Sequence, residues 1–313
     1  MKVLGIDTSN YTTSVCIYDS ENHSMLSHKK LLPVKEGELG LRQSDAVFHH
    51  VKQLHEVIEK LGVGFGKEIC AVAVSNRPSV QEGSYMPVFL AGICVADTLS
   101  KALDIPKYEF THQQGHIAAA LYSANKLDLL DKDFFAFHVS GGTTDLLLVE
   151  KTDNSVLNCK LLASSNDLKM GQAVDRLGNK FGLPFPSGKY LDEIAQKGSK
   201  KLLFPAILKG LDCSISGFEN RFNDYISQGE SKEDIAYSFF IGLSNVLYKM
   251  ATKAREKYGD KPIVFSGGVM CNSIIKSNLL LKLDDIYFAA PEFSSDNAAG
   301  TAFLGYKKRT GEI

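Results

Sequence analysis

One pattern occurs twice in this chain, and it limits the possible folds more than any other feature. Near the N-terminus the apolar run Val3-Leu4-Gly5-Ile6 leads into Asp7-Thr8-Ser9-Asn10-Tyr11-Thr12-Thr13-Ser14, and a second run, Val15-Cys16-Ile17-Tyr18, returns. Near mid-chain Phe134 to Val139 leads into Ser140-Gly141-Gly142-Thr143-Thr144-Asp145, and Leu146 to Val149 returns. Each reads as strand, small polar turn, strand. Glycines let backbone N–H groups approach an anion, and hydroxyls such as those of Thr8, Ser9 and Thr12 add donors. Two such hairpins predict a duplicated nucleotide-binding architecture with phosphates held between its halves.

At 313 residues the chain is long enough for a full core and about two domains. The net charge of −1 advertises no basic field for nucleic acid, so an RNA substrate would be reached with help from partners. The six cysteines, Cys16, Cys70, Cys94, Cys159, Cys213 and Cys271, form no C-x-x-C pair. They are expected to be reduced core thiols, which implies a cytoplasmic protein. The first residues read as a strand rather than a signal peptide. No apolar stretch is long enough to predict a membrane span.

Strands and helices alternate, which predicts an α/β fold. The spacing predicts a helix over Ser44–Leu61, with Val47, Val51, Leu54, Val57, Ile58 and Leu61 on its inward face. Ala71–Ser75 reads as a buried strand. Val88–Leu103 reads as an apolar helix packed between layers. His112-Gln113-Gln114-Gly115-His116 opens a further helix. Gly171–Phe181, Leu191–Gln196 and Asp234–Tyr258 are predicted helices, with Pro184, Pro186 and Gly188 in a loop. Pro262–Phe265 is a strand, Ile286–Pro291 is extended, and the last helix starts near Gly300.

His112 and His116 are spaced i, i+4, which puts both imidazoles on one helix face, close enough to share a metal. Asp296, in the turn before the last helix, is the candidate third ligand; the alternative is a pair of half-exposed helix-start histidines. His138, on a strand, is expected to be a packed or pairing histidine. The zinc-protease spacing H-E-x-x-H lacks its general base, because position 113 is Gln. Ser266-Gly267-Gly268, between a strand and a helix, is a third turn that an anion or nucleotide can approach, with Asn272 facing the same cleft. Asp175 and Asp192 read either as surface ion-pair partners or as acceptors for a ribose.

Taken in order, these motifs form a recognisable set: G-I-D-T-S (5–9), H-Q-Q-G-H (112–116), S-G-G-T-T (140–144), G-Q-A-V-D-R-L (171–177), P-F-P-S-G-K-Y-L-D (184–192), S-I-S-G (214–217), S-G-G-V-M-C-N (266–272) and S-D-N-A-A (295–299). The set runs through nearly the whole chain. It resembles the TsaD/Kae/Gcp family, catalytic subunits of the tRNA threonylcarbamoyladenosine transferase that were long mislabelled O-sialoglycoprotein endopeptidase. The resemblance implies an ASKHA (actin/hexokinase/Hsp70-like) fold of two ribonuclease-H-like lobes around a central cleft. The expected division is 1–118, completed by the C-terminal helix near 296–313, and 119–295. It implies one divalent metal ion, iron or zinc, on His112, His116 and Asp296. It implies that Ser140, Gly141, Gly142, Thr143 and Thr144 approach the phosphate or carbamoyl end of threonylcarbamoyl-adenylate. Asp175, Gly188, Asp192 and Asn272 would hold the adenosine of that ligand or of an adenine nucleotide, and Gly267 and Gly268 belong to the same substrate- or nucleotide-binding set. The implied reaction transfers threonylcarbamoyl to the anticodon-adjacent adenosine of tRNA. The implied partners are a smaller homologous subunit and a P-loop ATPase.

The chain also departs from the family pattern. Asn10, Tyr11 and Thr12 stand where Cys, Asp and Glu are usual, Thr143 where His or Asn is, and Asp145 where Gln is. The loss of acids at 11 and 12 defines a second expectation: a divergent paralogue, acting as a carbamoyl-type transferase on another acceptor or as an inactive nucleotide-binding partner subunit. A sugar or acetate kinase would suit the hairpins but not the histidine pair. No residue is assigned as a catalytic acid or base.

Overall fold

The computed structural model describes residues 1–9, 11–34, 41–62, 64–152 and 155–311. Asn10, an expected departure in the first turn, lies outside the described residues. The chain opens with β1 (Lys2–Asp7), β2 (Thr12–Asp19) and β3 (Ser24–Leu31), then α1 (Gln43–Glu59), β4 (Ile69–Arg77), α2 (Phe89–Leu103), β5 (Lys107–Thr111) and α3 (His112–Ser123). It continues with β6 (Phe134–Val139), β7 (Thr144–Glu150), β8 (Asn158–Ser164), α4 (Met170–Lys180), α5 (Gly188–Ala195), a small β9 (Ile207–Lys209)–β10 (Asp212–Ser214) ribbon and α6 (Ser216–Ser227). Then come α7 (Lys232–Tyr258), β11 (Ile263–Ser266), α8 (Ser273–Leu280), β12 (Ile286–Phe288), α9 (Pro291–Ser294) and α10 (Ala299–Thr310).

Two five-stranded sheets result, in the orders β3-β2-β1-β4-β5 and β8-β7-β6-β11-β12. In each, the first three strands are joined antiparallel and the last two add parallel. The second sheet therefore repeats the first in order and in sense, which is the duplication expected from the paired hairpins. The central strands read as continuous apolar runs because both faces of each sheet are covered.

Strand alternation sorts those runs into three buried layers. Leu4 and Ile6 of β1 pack outward with Leu54 and Val57 of α1 and Ala96 of α2. Phe135 and Phe137 of β6 pack outward under α4 to α8. Phe134 and Ala136 of β6 face the other way, into a middle layer holding Ile117, Ala118 and Leu121 of α3 and Ala299, Ala302 and Phe303 of α10. Helices α3 and α10 thus lie between the sheets. Their approach depends on small residues: a Cβ on Gly300 would fall 1.8 Å from the Gly115 carbonyl oxygen, and one on Gly115 would fall 2.8 Å from Thr301 Oγ1.

Several expectations are corrected. It is α3, not α2, that is sandwiched between layers: Ile117 to Leu121 are fully buried, whereas Leu90 of α2 is 50% exposed. Helix α2 is apolar but lies on the outside of the first sheet. Five of the six residues expected on the inward face of α1 do pack inward, Leu54, Val57 and Leu61 buried and Val47 and Ile58 against core clusters, but Val51 does not. Val51 is 62% exposed, and His50 and Gln53 point inward to the Thr13 hydroxyl, with Thr13 Oγ1 2.8 Å from His50 Nδ1. Gly188 begins α5 rather than lying in a loop. All six cysteines are free, but Cys94 and Cys271 are exposed, not core. Helix α7 matches its expected span, with Ser231 capping it by accepting from the Asp234 amide and Gly259 ending it.

The α3–α10 crossing generates a direct test. Gly300→Ala is expected to lower unfolding free energy by ~3 kcal/mol or more, because backbone rather than a flexible side chain must move. Gly217→Ala in α6, where a Cβ meets nothing within 4 Å, is expected to be neutral or to add roughly 0.4–1 kcal/mol. Urea titration of both variants reads the difference; an unchanged midpoint for Gly300→Ala would refute the tight crossing.

Candidate functional site

Helix α3 begins at His112 because Thr111 caps it: its hydroxyl accepts from the Gln114 amide at 3.1 Å, and the Gln114 side chain accepts in return from the Thr111 amide. That start places His112 and His116 one turn apart on a buried helix. Asp296 arrives from the turn before α10. Asn297 shapes this turn, donating to the carbonyls of Phe293 and Ser295 and accepting from the Ala299 amide. Lys29 on β3 steadies it through Ser295 Oγ at 2.6 Å.

The three side chains converge. His112 Nε2 and His116 Nε2 are 3.0 Å apart, and Asp296 Oδ1 is 3.3 Å from the second and 3.6 Å from the first. Asp7, the last residue of β1, continues the Val3-Gly5 face toward α10 and accepts from His112 Nδ1 at 2.9 Å. Its carboxylate also accepts from Ser75 and Ser9, and Ser75 Oγ lies 3.1 Å from Thr301 Oγ1 of α10. Sequence reasoning placed Asp7 in the first turn without giving it a role. The odd-numbered face of β1 was the signal available for it.

Burial opposes charge on His112, but the carboxylates of Asp7 and Asp296 outweigh it and push the pKa up to about 10. Burial would raise both carboxyls, yet their histidine partners hold Asp7 and Asp296 below the usual range. Burial and the charge on His112 lower His116, and burial with both neighbours lowers His138 well below an ordinary histidine. Both nitrogens of His138 and Nδ1 of His116 are buried with no hydrogen-bond partner among the described residues.

This donor set fits a transition ion. Ligands about 2.1 Å from one ion lie ~3.0–3.4 Å from each other, and two imidazoles with one carboxylate suit zinc or iron. The 3.0 and 3.3 Å separations fall in that range and the 3.6 Å one lies just beyond it. Asp7 supplies the outer hydrogen bond that fixes the His112 tautomer and ring angle. A divalent ion bound there would displace the His112 proton.

The remaining expected residues fall into three groups around this centre. Ser140 N donates to Thr143 O at 2.8 Å and closes the second hairpin. The start of α4 docks on it: Met170 N donates to Thr144 Oγ1 at 2.9 Å, and Gly171 N to Ser140 O at 3.2 Å. Thr144 is therefore buried and occupied, while Gly141, Gly142 and Thr143 remain at the surface. Gly267 has φ +95°, and a Cβ there would fall 2.3 Å from the Val139 carbonyl oxygen, so this turn needs glycine to lie against β6. Gly268 is open.

Asp192 and Asn272 are brought together, with Asn272 Nδ2 donating to Asp192 Oδ1 at 2.9 Å and Ser273 bonding the same carboxylate. Asp175 accepts from the Ser187 amide at 2.9 Å, just before Gly188. Burial raises its pKa despite that bond. Arg176 pairs with Glu219 instead, so Asp175 is not half of a surface ion pair with its neighbour.

In the first hairpin Thr8 is buried, donating to Val88 O and accepting from Gly92 N, which pins the start of α2. Ser9 is turned onto Asp7, and Thr12 is buried with its amide bonded to Ser9 O. Tyr11 meets Phe185 edge to face at 5.6 Å, linking the first hairpin to the segment before α5. Burial raises the Tyr11 pKa, and Asp175 and Asp296 both add to the shift. Gln113, in place of the protease glutamate, donates to buried Asp145 at 3.1 Å.

A sequence model of the TsaD family, described as tRNA N6-adenosine threonylcarbamoyltransferase, matches residues 35–303. A protein of Nanoarchaeum equitans (strain Kin4-M) with that name is 29% identical over 314 residues, covering 98% of this chain and 93% of its own. One of Sulfurihydrogenibium sp. (strain YO3AOP1), with the same name, is 30% identical over 320 residues, covering 98% and 90%. Among solved structures, HypF of T. kodakarensis superposes with a TM-score of 0.66 at 14% identity, covering 99% of this chain and 48% of that one. This chain thus spans about half the length of that protein, and the likeness is one of fold, the ASKHA fold.

Two tests follow from the geometry. Asp7→Ala is expected to weaken zinc or iron binding roughly 10–100-fold through loss of the His112 orienting bond, read by competition with a chelator. Unchanged affinity would remove Asp7 from that role. Asp167, in the loop before α4, accepts from the amides of Leu168, Ile215 and Ser216 and the hydroxyls of Ser214 and Ser216. Burial would raise its pKa, but those donors hold it well below the usual carboxylate range. A depressed folded pKa stabilises above the unfolded value of ~3.9 and is lost as pH falls below it. Asp167→Asn is therefore expected to melt lower than wild type at pH 7, with the gap narrowing steadily as pH falls below about 4. A gap constant with pH would refute the carboxylate's role.

Proposed function

The chain belongs to the TsaD family of tRNA N6-adenosine threonylcarbamoyltransferases, and from that premise we propose that it transfers threonylcarbamoyl from threonylcarbamoyl-adenylate to the anticodon-adjacent adenosine of a tRNA. The observation that carries the reading is the convergence of His112, His116 and Asp296 in the layer between the two sheets. An iron or zinc ion held by these three residues would supply a Lewis acid that polarises carbamoyl and phosphate oxygens.

The chain's own groups do the rest. Asp7 holds the His112 ring. The partly exposed Gly141-Gly142-Thr143 turn offers amides and a hydroxyl to the anionic end of the adenylate. Asp175, Gly188, Asp192, Asn272 and the Gly267-Gly268 turn hold the adenosine. The exocyclic amine of the tRNA base attacks the carbamoyl carbon; the new C–N bond forms as the C–O bond to phosphate breaks, AMP leaves with that electron pair, and the amine proton passes to the departing phosphate or to water. The mixed anhydride is already activated, so no protein nucleophile is required, and positioning with charge stabilisation supplies the acceleration. The same proposal divides the lobes at 1–118 with 296–313, and 119–295. In its support, α10 packs on β1, β2 and β4 of the first sheet, although α3 runs unbroken across residue 118. It places the protein in the cytoplasm, with a smaller homologous subunit and a P-loop ATPase as partners. No helix among the described residues is long and apolar enough to cross a membrane.

A second reading rests on Tyr11. An aromatic ring packed on Phe185 stands where the family carries an acid. That favours a divergent paralogue with another acceptor or none.

Purified protein loaded with iron or zinc, given threonylcarbamoyl-adenylate, unmodified tRNA and the partner subunits, is expected to yield threonylcarbamoyladenosine by nucleoside mass spectrometry. His112→Ala is expected to lower the yield by roughly 100-fold or more. Nucleotide binding without tRNA modification would favour the second reading.

A further inference from the structure

His138 is packed, as its sequence position suggests, but its ring nitrogens are left without partners among the described residues. It belongs to the inward face of β6, where Phe134 and Ala136 contribute apolar surface to the middle layer. It is 2% exposed, and neither ring nitrogen has a hydrogen-bond partner among the described residues. An imidazole left that way is destabilising relative to a satisfied one. The acceptor that could relieve it is nearby but engaged: Asp145, its cross-strand neighbour, is bonded to Gln113.

The ring faces the histidine pair. Its centroid is 4.5 Å from that of His116 and 6.1 Å from that of His112. One nitrogen from each of the three histidines lies within 4.8 Å of the others. Two ligands of a single ion at about 2.1 Å are at most ~4.2 Å apart. The 4.8 Å bound is within about 0.6 Å of that limit, so a turn of the His138 ring would be enough to bring its nitrogen to the ion.

We infer that His138 is a further ligand of the ion held by His112, His116 and Asp296, an inference that rests on the metal reading above. The site then draws its ligands from both halves of the duplicated fold. Helix α3 and the turn before α10 supply three, and the central strand of the second sheet supplies the fourth. Three imidazoles and one carboxylate leave fewer positions open to substrate oxygens than two imidazoles and one carboxylate would. His138 also lies two residues before Ser140, so the ion is tied directly to the strand that carries the Gly141-Gly142 turn.

The test uses the full chain, stripped of metal and titrated with cobalt(II), in wild-type, His138→Leu and His138→Cys forms. The metal-free Leu variant is expected to melt at or above the wild-type Tm, because an apolar side chain replaces an unpartnered imidazole. Its cobalt affinity is expected to fall roughly tenfold or more, with a changed visible spectrum as the ligand set changes. The Cys variant is expected to show a near-ultraviolet thiolate-to-cobalt charge-transfer band that wild type lacks. Wild-type affinity and spectrum in the Leu variant, with no new band in the Cys variant, would overturn the inference and leave the three-ligand site standing. Failure of the wild type to take up cobalt, zinc or iron would overturn both.

Discussion

The close crossing of α3 and α10 is the constraint on which the rest of the molecule depends. Two sheets that repeat one topology must share a common layer, and that layer is only as thick as its two helices allow. Gly115 and Gly300 set the distance by bringing backbone against backbone. The same contact joins distant parts of the sequence at one point. His112 and His116 ride on α3, Asp296 enters just ahead of α10, and Thr301 on α10 reaches Ser75 and, through it, Asp7. A wider crossing would separate the histidine pair from its carboxylate partner.

Strand alternation then delivers charged and polar groups to that layer. Asp7 continues the inward face of β1, and His138 the inward face of β6. Each is aimed at the start of α3 by the side-chain period of two. The result is a buried cluster of two carboxylates and three imidazoles. Such a cluster is stable only if opposite charges sit close together, and the two carboxylates do flank His112. The turns proposed to face substrate lie at strand ends and helix starts.

Much of the site was legible in one dimension because its signals are local. A pair of histidines one helical turn apart, an acid before the last helix and glycine turns after strands follow from spacing alone. Other features were hidden. Hydrophobicity placed Leu54 and Val57 of α1 and Leu61 just after it correctly, but it missed His50 and Gln53, which turn inward to Thr13, and misplaced Val51, which is in solvent. The helix between layers was sought where apolar residues are densest, in α2. Packing selected α3 instead, whose small residues let two sheets approach. His138 read as a packing residue because a lone histidine on an apolar strand carries no spacing signal.

Periodicity, turn chemistry and motif order therefore established the α/β duplication and the family, and singled out His112, His116 and Asp296 as the trio proposed to hold a metal. These depend on residues near each other in sequence or on an ordered set of short motifs. The partnership of Asp7 with His112, the turning of Thr8 onto α2, the pairing of Asp192 with Asn272 and the aim of His138 were settled in three dimensions. Each joins residues whose distance is set by how helices and sheets pack, and a linear pattern carries no measure of that distance.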